Sequence, residues 1–319
     1  MSPIGMSSSK LMIWLVLGVT LSALLAFTGG YFVGISSVEK TPPLVEDESF
    51  SVVDDYGRTV TFDKVPQRIV SAAPSPTEIL FAVGAGAQMV GVDDYSDYPA
   101  ATANLTKVGS YSLNVETIIA LEPDLIVGSD LVPRVQLEQL EDQGIPYVLF
   151  ADRTLEDIFK TIRLAGIITG HVDQADDVAT SLSLRVDALK AKTLAENVSK
   201  PKVYVEYYEY WTYGPGSFGD DLIALAGGTN IAHNASSEYP NVESEFVIAQ
   251  DPDVIVYTIG VMSSTTADSI AARPGWDNIT AVKNDDIYSI DDNLMSRYGP
   301  RIVDALEQLA AIVHPELFS

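Results

Sequence analysis

Two stretches of this chain run a glycine- or proline-rich turn into an acidic helix start. The first is APSPTEILFAVGAG, from Ala73 to Gly86, and the second is GPGSFGDDLIALAGG, from Gly214 to Gly228. Their acids, Glu78 and the pair Asp220 and Asp221, lie about 140 residues apart. A carboxylate in the first turn of a helix complements the helix dipole. A second set of residues is aromatic and follows predicted strands. Tyr95 and Tyr98 stand in DDYSDYP, Tyr111 in GSYSLN, Trp211 and Tyr213 in YYEYWTYGPG, and Tyr298 in NLMSRYGPR. In α/β folds the carboxyl ends of strands are where ligands bind. Taken together these side chains fit an aromatic-walled cleft for a bulky or flat ligand, with Arg134 and Arg297 placed to meet its anionic groups.

Catalytic chemistry is poorly provided for. The chain has no cysteine, which excludes disulfides, thiolate metal sites, a cysteine nucleophile and a lipid-modified N-terminal cysteine. Its three histidines, His171, His233 and His314, never pair at helical spacing, so no histidine-built metal site is expected. His314, beside Pro315, reads as a packing or capping residue. No nucleophile elbow, phosphate loop or dinucleotide fingerprint occurs. With 44 carboxylates, acid pairs arise cheaply, and none sits in a glycosidase setting. No catalytic residue, no metal site and no cofactor are expected.

The formal net charge of −25 argues against nucleic acid or an anionic membrane surface as an electrostatic partner. The N-terminus is another matter. Leu11 to Ile35 is uncharged, long enough to cross a bilayer, and preceded by Lys10. We read it as an uncleaved anchor with its short N-terminus in the cytoplasm. Sequons at Asn104, Asn197, Asn234 and Asn278 agree with an outside location and are candidate glycosylation sites.

Positioning elements follow from periodicity. SVVDDYGRTVTF is a hairpin signal around Tyr56-Gly57. After it, β-rich runs alternate with helical stretches, the mark of an α/β domain with a largely parallel sheet. The phrases LEPDLIVGS (121–129) and QDPDVIVYT (250–258) echo one another and imply two similar lobes. Between the lobes, Val178, Leu182, Val186 and Leu189 mark one face of an uninterrupted helix that extends to about Asn197. A single stiff helix as connector predicts lobes that move little. The expected layout is a cytoplasmic N-terminus 1–10, an anchor 11–35, a linker 36–49, an N-terminal α/β lobe 50–170, a backbone helix 171–200 and a C-terminal α/β lobe 201–319.

Four segments carry a resemblance to a known family: DDYGRTV with VPQRIVSAAPSPTEILFAVGAGAQMVGVDDYSDYP, then VGSYSLNVETIIALEPDLIVGS, YGPGSFGDDLIALAGGTNIA and RPGWDNITAVKNDDIYSID. They resemble the helix-backbone class of ABC-importer substrate-binding proteins, whose members receive cobalamin, ferric siderophores or haem. YSDYP and Val108 to Gly128 are similar to the cobalamin receptors, and the C-terminal GPR…LAAIVHPELF to receptors for iron chelates or oxyanions. The resemblance implies two Rossmann-like lobes, no enzymatic activity and a metal chelate as transported ligand. It implies a permease dimer with its ATPase as partner and a monomer when free. It also implies permease docking through Glu78 and through Asp220 or Asp221. The anchor and sequons add an archaeal cell surface as an expectation. Open alternatives are a receptor of the same fold for an oxyanion or free metal ion, and a surface enzyme or sensor that reuses the fold.

Overall fold

The computed structural model describes residues 49–260 and 265–318. The N-terminal segment, the anchor at 11–35 and nearly all of the linker lie outside the described residues. Among the described residues no helix is long and apolar enough to cross a membrane.

The described residues open with the expected hairpin: β1 (Phe50–Val53) pairs antiparallel with β2 (Thr59–Phe62). Its turn is held by Asp54, whose Oδ1 accepts from the backbone N–H groups of Tyr56 and Arg58. The N-terminal lobe then alternates strand and helix. In order come β3 (Ile69–Ser71), α1 (Pro74–Ala82), β4 (Met89–Val92), β5 (Thr106–Lys107), α2 (Val115–Ala120), β6 (Leu125–Ser129), α3 (Arg134–Glu141) and β7 (Tyr147–Phe150). The sheet is parallel throughout, in the order β5-β4-β3-β6-β7. From β3 the chain winds outward one way through β4 and β5, then returns to continue from β6 the other way. The crevice of such a sheet lies at the carboxyl ends of the two strands flanking that switch. Here those ends are Ala72–Ser75 and Ser129–Val132.

Two helices leave this lobe, α4 (Leu155–Thr169) and α5 (Val172–Thr193). Gly170, at φ 77°, makes the turn between them. The 22 residues of α5 extend for about 33 Å. The buried positions Leu182, Val186 and Leu189 are those that the periodicity assigns to one face, joined by Ala175 and Ala179. The helix stops at Thr193, short of Asn197 and of position 200. No glycine or proline ends it; instead the Thr193 hydroxyl bonds the carbonyl of Leu225 and ties the helix end to the next lobe.

The second lobe comprises β8 (Lys202–Tyr208), β9 (Trp211–Thr212), α6 (Phe218–Leu225), β10 (Thr229–Asn230), α7 (Ser244–Gln250), β11 (Val254–Ile259), α8 (Ala267–Ala271), α9 (Thr280–Asn284), β12 (Ile287–Asp291), α10 (Asp292–Ser296), α11 (Ile302–Val313) and α12 (Pro315–Phe318). Its parallel strands run β10-β8-β11-β12, with β9 antiparallel against β8. The switch between β8 and β11 repeats that between β3 and β6. The weak echo in sequence is therefore a repeat in topology.

One hydrophobic core runs without a break from the hairpin and the first sheet, through α4 and α5, to α6 and α11. The far face of each sheet has a separate cluster. His314 is fully buried, with Nε2 3.3 Å from the Gly227 carbonyl. It packs and caps at the end of α11. The tightest point of the brace is Gly166 in α4, where an added Cβ would lie 2.3 Å from the Ala175 Cβ in α5. Neither side chain there can swing away, so Gly166→Ala must part the two helices. We expect a loss of about 1–3 kcal/mol in urea unfolding, the usual range for overpacking.

Candidate ligand-binding cleft

The carboxyl ends of both sheets meet across a cleft with two connected hollows of about 350 and 480 Å³. Ser75, Ser129, Leu131 and Ser296 line both and make them one space. Three of these come from the ends of β3 and β6, the switch of the first sheet. The smaller hollow is walled by Phe150, Phe218, Tyr239 and Tyr298. Tyr298 stacks on Phe218 with ring centroids 4.6 Å apart, and its hydroxyl lies 3.4 Å from that of Tyr239. In the larger hollow, Tyr95 and Tyr111 meet edge to face at 5.9 Å, both largely exposed. A cleft with exposed rings on one side and a stacked pair on the other can grip a flat or bulky apolar body.

Not every expected ligand residue reaches this space. Tyr95, Tyr111, Arg297 and Tyr298 line it. Arg134 instead starts α3 and lies over the Tyr56 ring at 4.4 Å, on the hairpin side. Trp211 belongs to β9 and Tyr213 is buried behind the wall, packed on Tyr207 and under Gly219. Tyr98 lies beneath the Arg301 guanidinium at 4.0 Å.

Two of the three acid candidates, Glu78 and Asp220, need correction on exposure. Glu78 is only 3% exposed, because the C-terminal lobe lies against it. Arg301 binds both its oxygens, at 2.6 and 2.8 Å, and Arg297 donates to Oε1 at 3.1 Å. Arg297 also donates to Asp97 at 2.6 Å and to the Tyr95 carbonyl. Burial works against the Asp97 charge, but the Arg297 hydrogen bond and charge outweigh it and hold that carboxyl below its ordinary range. The Glu78 hydrogen bond keeps Arg301 firmly charged. These residues form a latch between the lobes. Asp220, 6% exposed, is held on both oxygens: Asn230 donates to one at 2.8 Å and His233 Nδ1 lies 2.9 Å from the other. Asp221 is exposed, and burial of part of its surface together with the neighbouring Asp220 pushes its carboxyl up.

Two residues that sequence reasoning missed, Asp152 and Arg153, also line the smaller hollow. Their place directly after β7 is a signal that could have found them, but neither is aromatic. Asp152 is 7% exposed and accepts from the Thr161 hydroxyl at 2.6 Å. Burial pushes its carboxyl up to about 7; the Thr161 hydrogen bond opposes this, and Asp55, Asp157 and Asp130 add to it. A carboxyl raised on folding favours the folded state most below its unfolded pKa and loses that contribution as pH rises through the folded value. Asp152→Asn keeps the acceptor for Thr161 and deletes the charge. We expect its gain in stability to be small near pH 4, to grow with pH, and to level off above about pH 7 at roughly 2–4 kcal/mol. Urea unfolding across that range reads it directly, and a gain independent of pH would remove Asp152 as the cause.

The arrangement defines a class: a two-lobed α/β binding protein with its ligand cleft between lobes braced by one helix. The chain matches the family described as periplasmic binding protein over residues 69–294 and belongs to it. It is 31% identical over 277 residues to an ABC transporter substrate-binding lipoprotein of Bacillus subtilis, covering 84% of this chain and 86% of that one. It is 30% identical over 252 residues to a vitamin B12-binding protein of Pectobacterium carotovorum, covering 77% and 88%. Among solved structures, the periplasmic haem-binding protein of Roseiflexus in apo form superposes with a TM-score of 0.71. That match is 29% identical and covers 79% of this chain and 99% of the other.

Proposed function

We propose that this chain is the extracytoplasmic receptor of an ABC importer. It captures a metal chelate of the cobalamin, ferric siderophore or haem type between its lobes and hands it to a permease dimer driven by an ATPase. The observation that carries this reading is the cleft itself, open, aromatic-walled and built at the switch points of two parallel sheets. The names of the relatives agree with it. Its task is binding without turnover. Residues 11–35 hold it to the outer face of the membrane, a role that a lipidated cysteine cannot fill here. The four sequon asparagines are all exposed, as glycosylation requires.

For docking we place the acids elsewhere than at Glu78 and Asp220. Glu116 and Glu245 are both exposed in the first turn of a short helix, α2 and α7. Each stands seven residues before the proline of the echoed strand phrase, Pro123 or Pro252, so the two are equivalent in the repeat. Helices that return to a parallel sheet begin at the carboxyl edge of its strands. On that rule we assign both acids to the cleft side of their lobes, one per lobe.

Uptake tests the receptor reading. In cells that lack this gene, import of the labelled chelate should fall to background and return with the wild-type gene. Unchanged import, alongside saturable binding by the purified chain, would make it a sensor instead.

A further inference from the structure

The cleft is lined by three times as many acidic as basic residues. Six carboxylates border it: Asp94, Asp97, Asp130, Asp152, Glu238 and Asp292. Two cations stand against them, Arg153 and Arg297. Arg297 is not available to a ligand, since Glu78, Asp97 and the Tyr95 carbonyl take up its guanidinium, and the same pairing leaves five of the six acids facing Arg153 alone. Arg153 is exposed, lines the smaller hollow, and makes no side-chain ion pair or hydrogen bond among the described residues. The acids are not merely a solvated rim. Asp152 is more than nine-tenths buried in the wall, and burial with neighbouring acids pushes both Asp152 and Asp292 toward the neutral form.

We propose, on the receptor reading above, that the cleft selects a chelate with an uncharged or cationic, N–H-rich periphery and one anionic group at most. That single anion sits on Arg153. Peripheral amide or ammonium groups donate to the surrounding carboxyl groups, whose oxygens accept in either protonation state. A second carboxylate, a catecholate or a free oxyanion would face unpaired acid at short range in a partly desolvated space, and like charges brought together there select strongly against a ligand. The same chemistry argues against an oxyanion as cargo.

The test is equilibrium dialysis of the full chain in detergent against five probes. Cyanocobalamin carries peripheral amides and one phosphate; ferrioxamine is cationic. Haemin has two carboxylates, a ferric tris-catecholate is a trianion, and molybdate is a bare oxyanion. We expect cyanocobalamin or ferrioxamine to bind about 100-fold more tightly than any of the other three. Arg153→Ala should weaken cyanocobalamin about tenfold and leave a cationic chelate unaffected, whereas Asp130→Asn with Glu238→Gln should narrow the margin against haemin. Tighter binding of haemin, the catecholate or molybdate overturns the charge rule and leaves the receptor reading standing. Saturable binding of none of the five overturns both.

Discussion

Glu78→Gln should lower the melting temperature by roughly 10 °C while leaving the protein able to fold at room temperature. The substitution preserves shape and removes the charge that Arg301 and Arg297 share at one buried point. The Arg297 side chain is 9% exposed and that of Arg301 is 20% exposed, so water replaces little of what they lose. Asp97 still answers Arg297, but the bidentate partner of Arg301 is gone. Breaking a buried pair from one side typically costs about 3–5 kcal/mol, and in a domain of this size each kcal/mol moves the midpoint by about 2–4 °C. A paired change separates latch from docking. Glu78→Leu with Arg301→Leu removes both charges together and should regain much of the loss, because an apolar pair of similar volume is often neutral or better. Calorimetry on Glu78→Leu, Arg301→Leu and the double variant gives the coupling. An unchanged midpoint in Glu78→Gln, with import abolished, would restore Glu78 to the permease surface and remove the latch.

The latch also bears on how the lobes behave. A core continuous through α5 and an ion-pair bridge across the cleft brace the same junction from two sides. Arg185 of α5, paired with Asp304 and Glu307 of α11, adds a third and weaker tie at the surface. From these three ties we expect ligand to enter a standing cleft, with side chains at the loop ends adjusting more than the lobes.

Much of the architecture was legible because it is written in local periodicity. The strand and helix alternation, the turn at Tyr56-Gly57 and the apolar face of α5 each depend on residues close together in the chain. The repeated acid-Pro-Asp phrase even marked the two halves. What the sequence could not show is which loop ends face one another. Arg134 and Tyr95 both follow a strand by a few residues, yet one stacks on the hairpin and the other opens into the cleft. Glu78 misled for the same reason. The helix begins at Pro74 and not beside Glu78, so the expected acidic start is a second-turn carboxylate, and Arg297, Gly299 and Arg301 from more than 200 residues away bury it. Exposure is a tertiary property, and no spacing rule within APSPTEIL carries it.

Reversing charge at both Glu116 and Glu245 should abolish import while leaving the cleft intact. Each acid is exposed in the first turn of a short helix, and Asn114 caps α2 by accepting from the Thr117 N–H. A pair in equivalent positions on two similar lobes suits a partner made of two like subunits, because each contact repeats the other and together they fix orientation. Glu116→Ala or Glu245→Ala alone leaves one anchor, and we expect import at limiting chelate to fall about tenfold. Glu116→Lys with Glu245→Lys sets like charge against like at both ends, which costs several kcal/mol and takes import to background. Neither residue supports the core or lines the cleft, so the melting temperature and the chelate affinity should stay at wild-type values. That combination separates docking from ligand capture and from folding. Full import by the double lysine variant would exclude this pair, and Asp221, the exposed member of the acidic start at α6, would become the next residue to reverse.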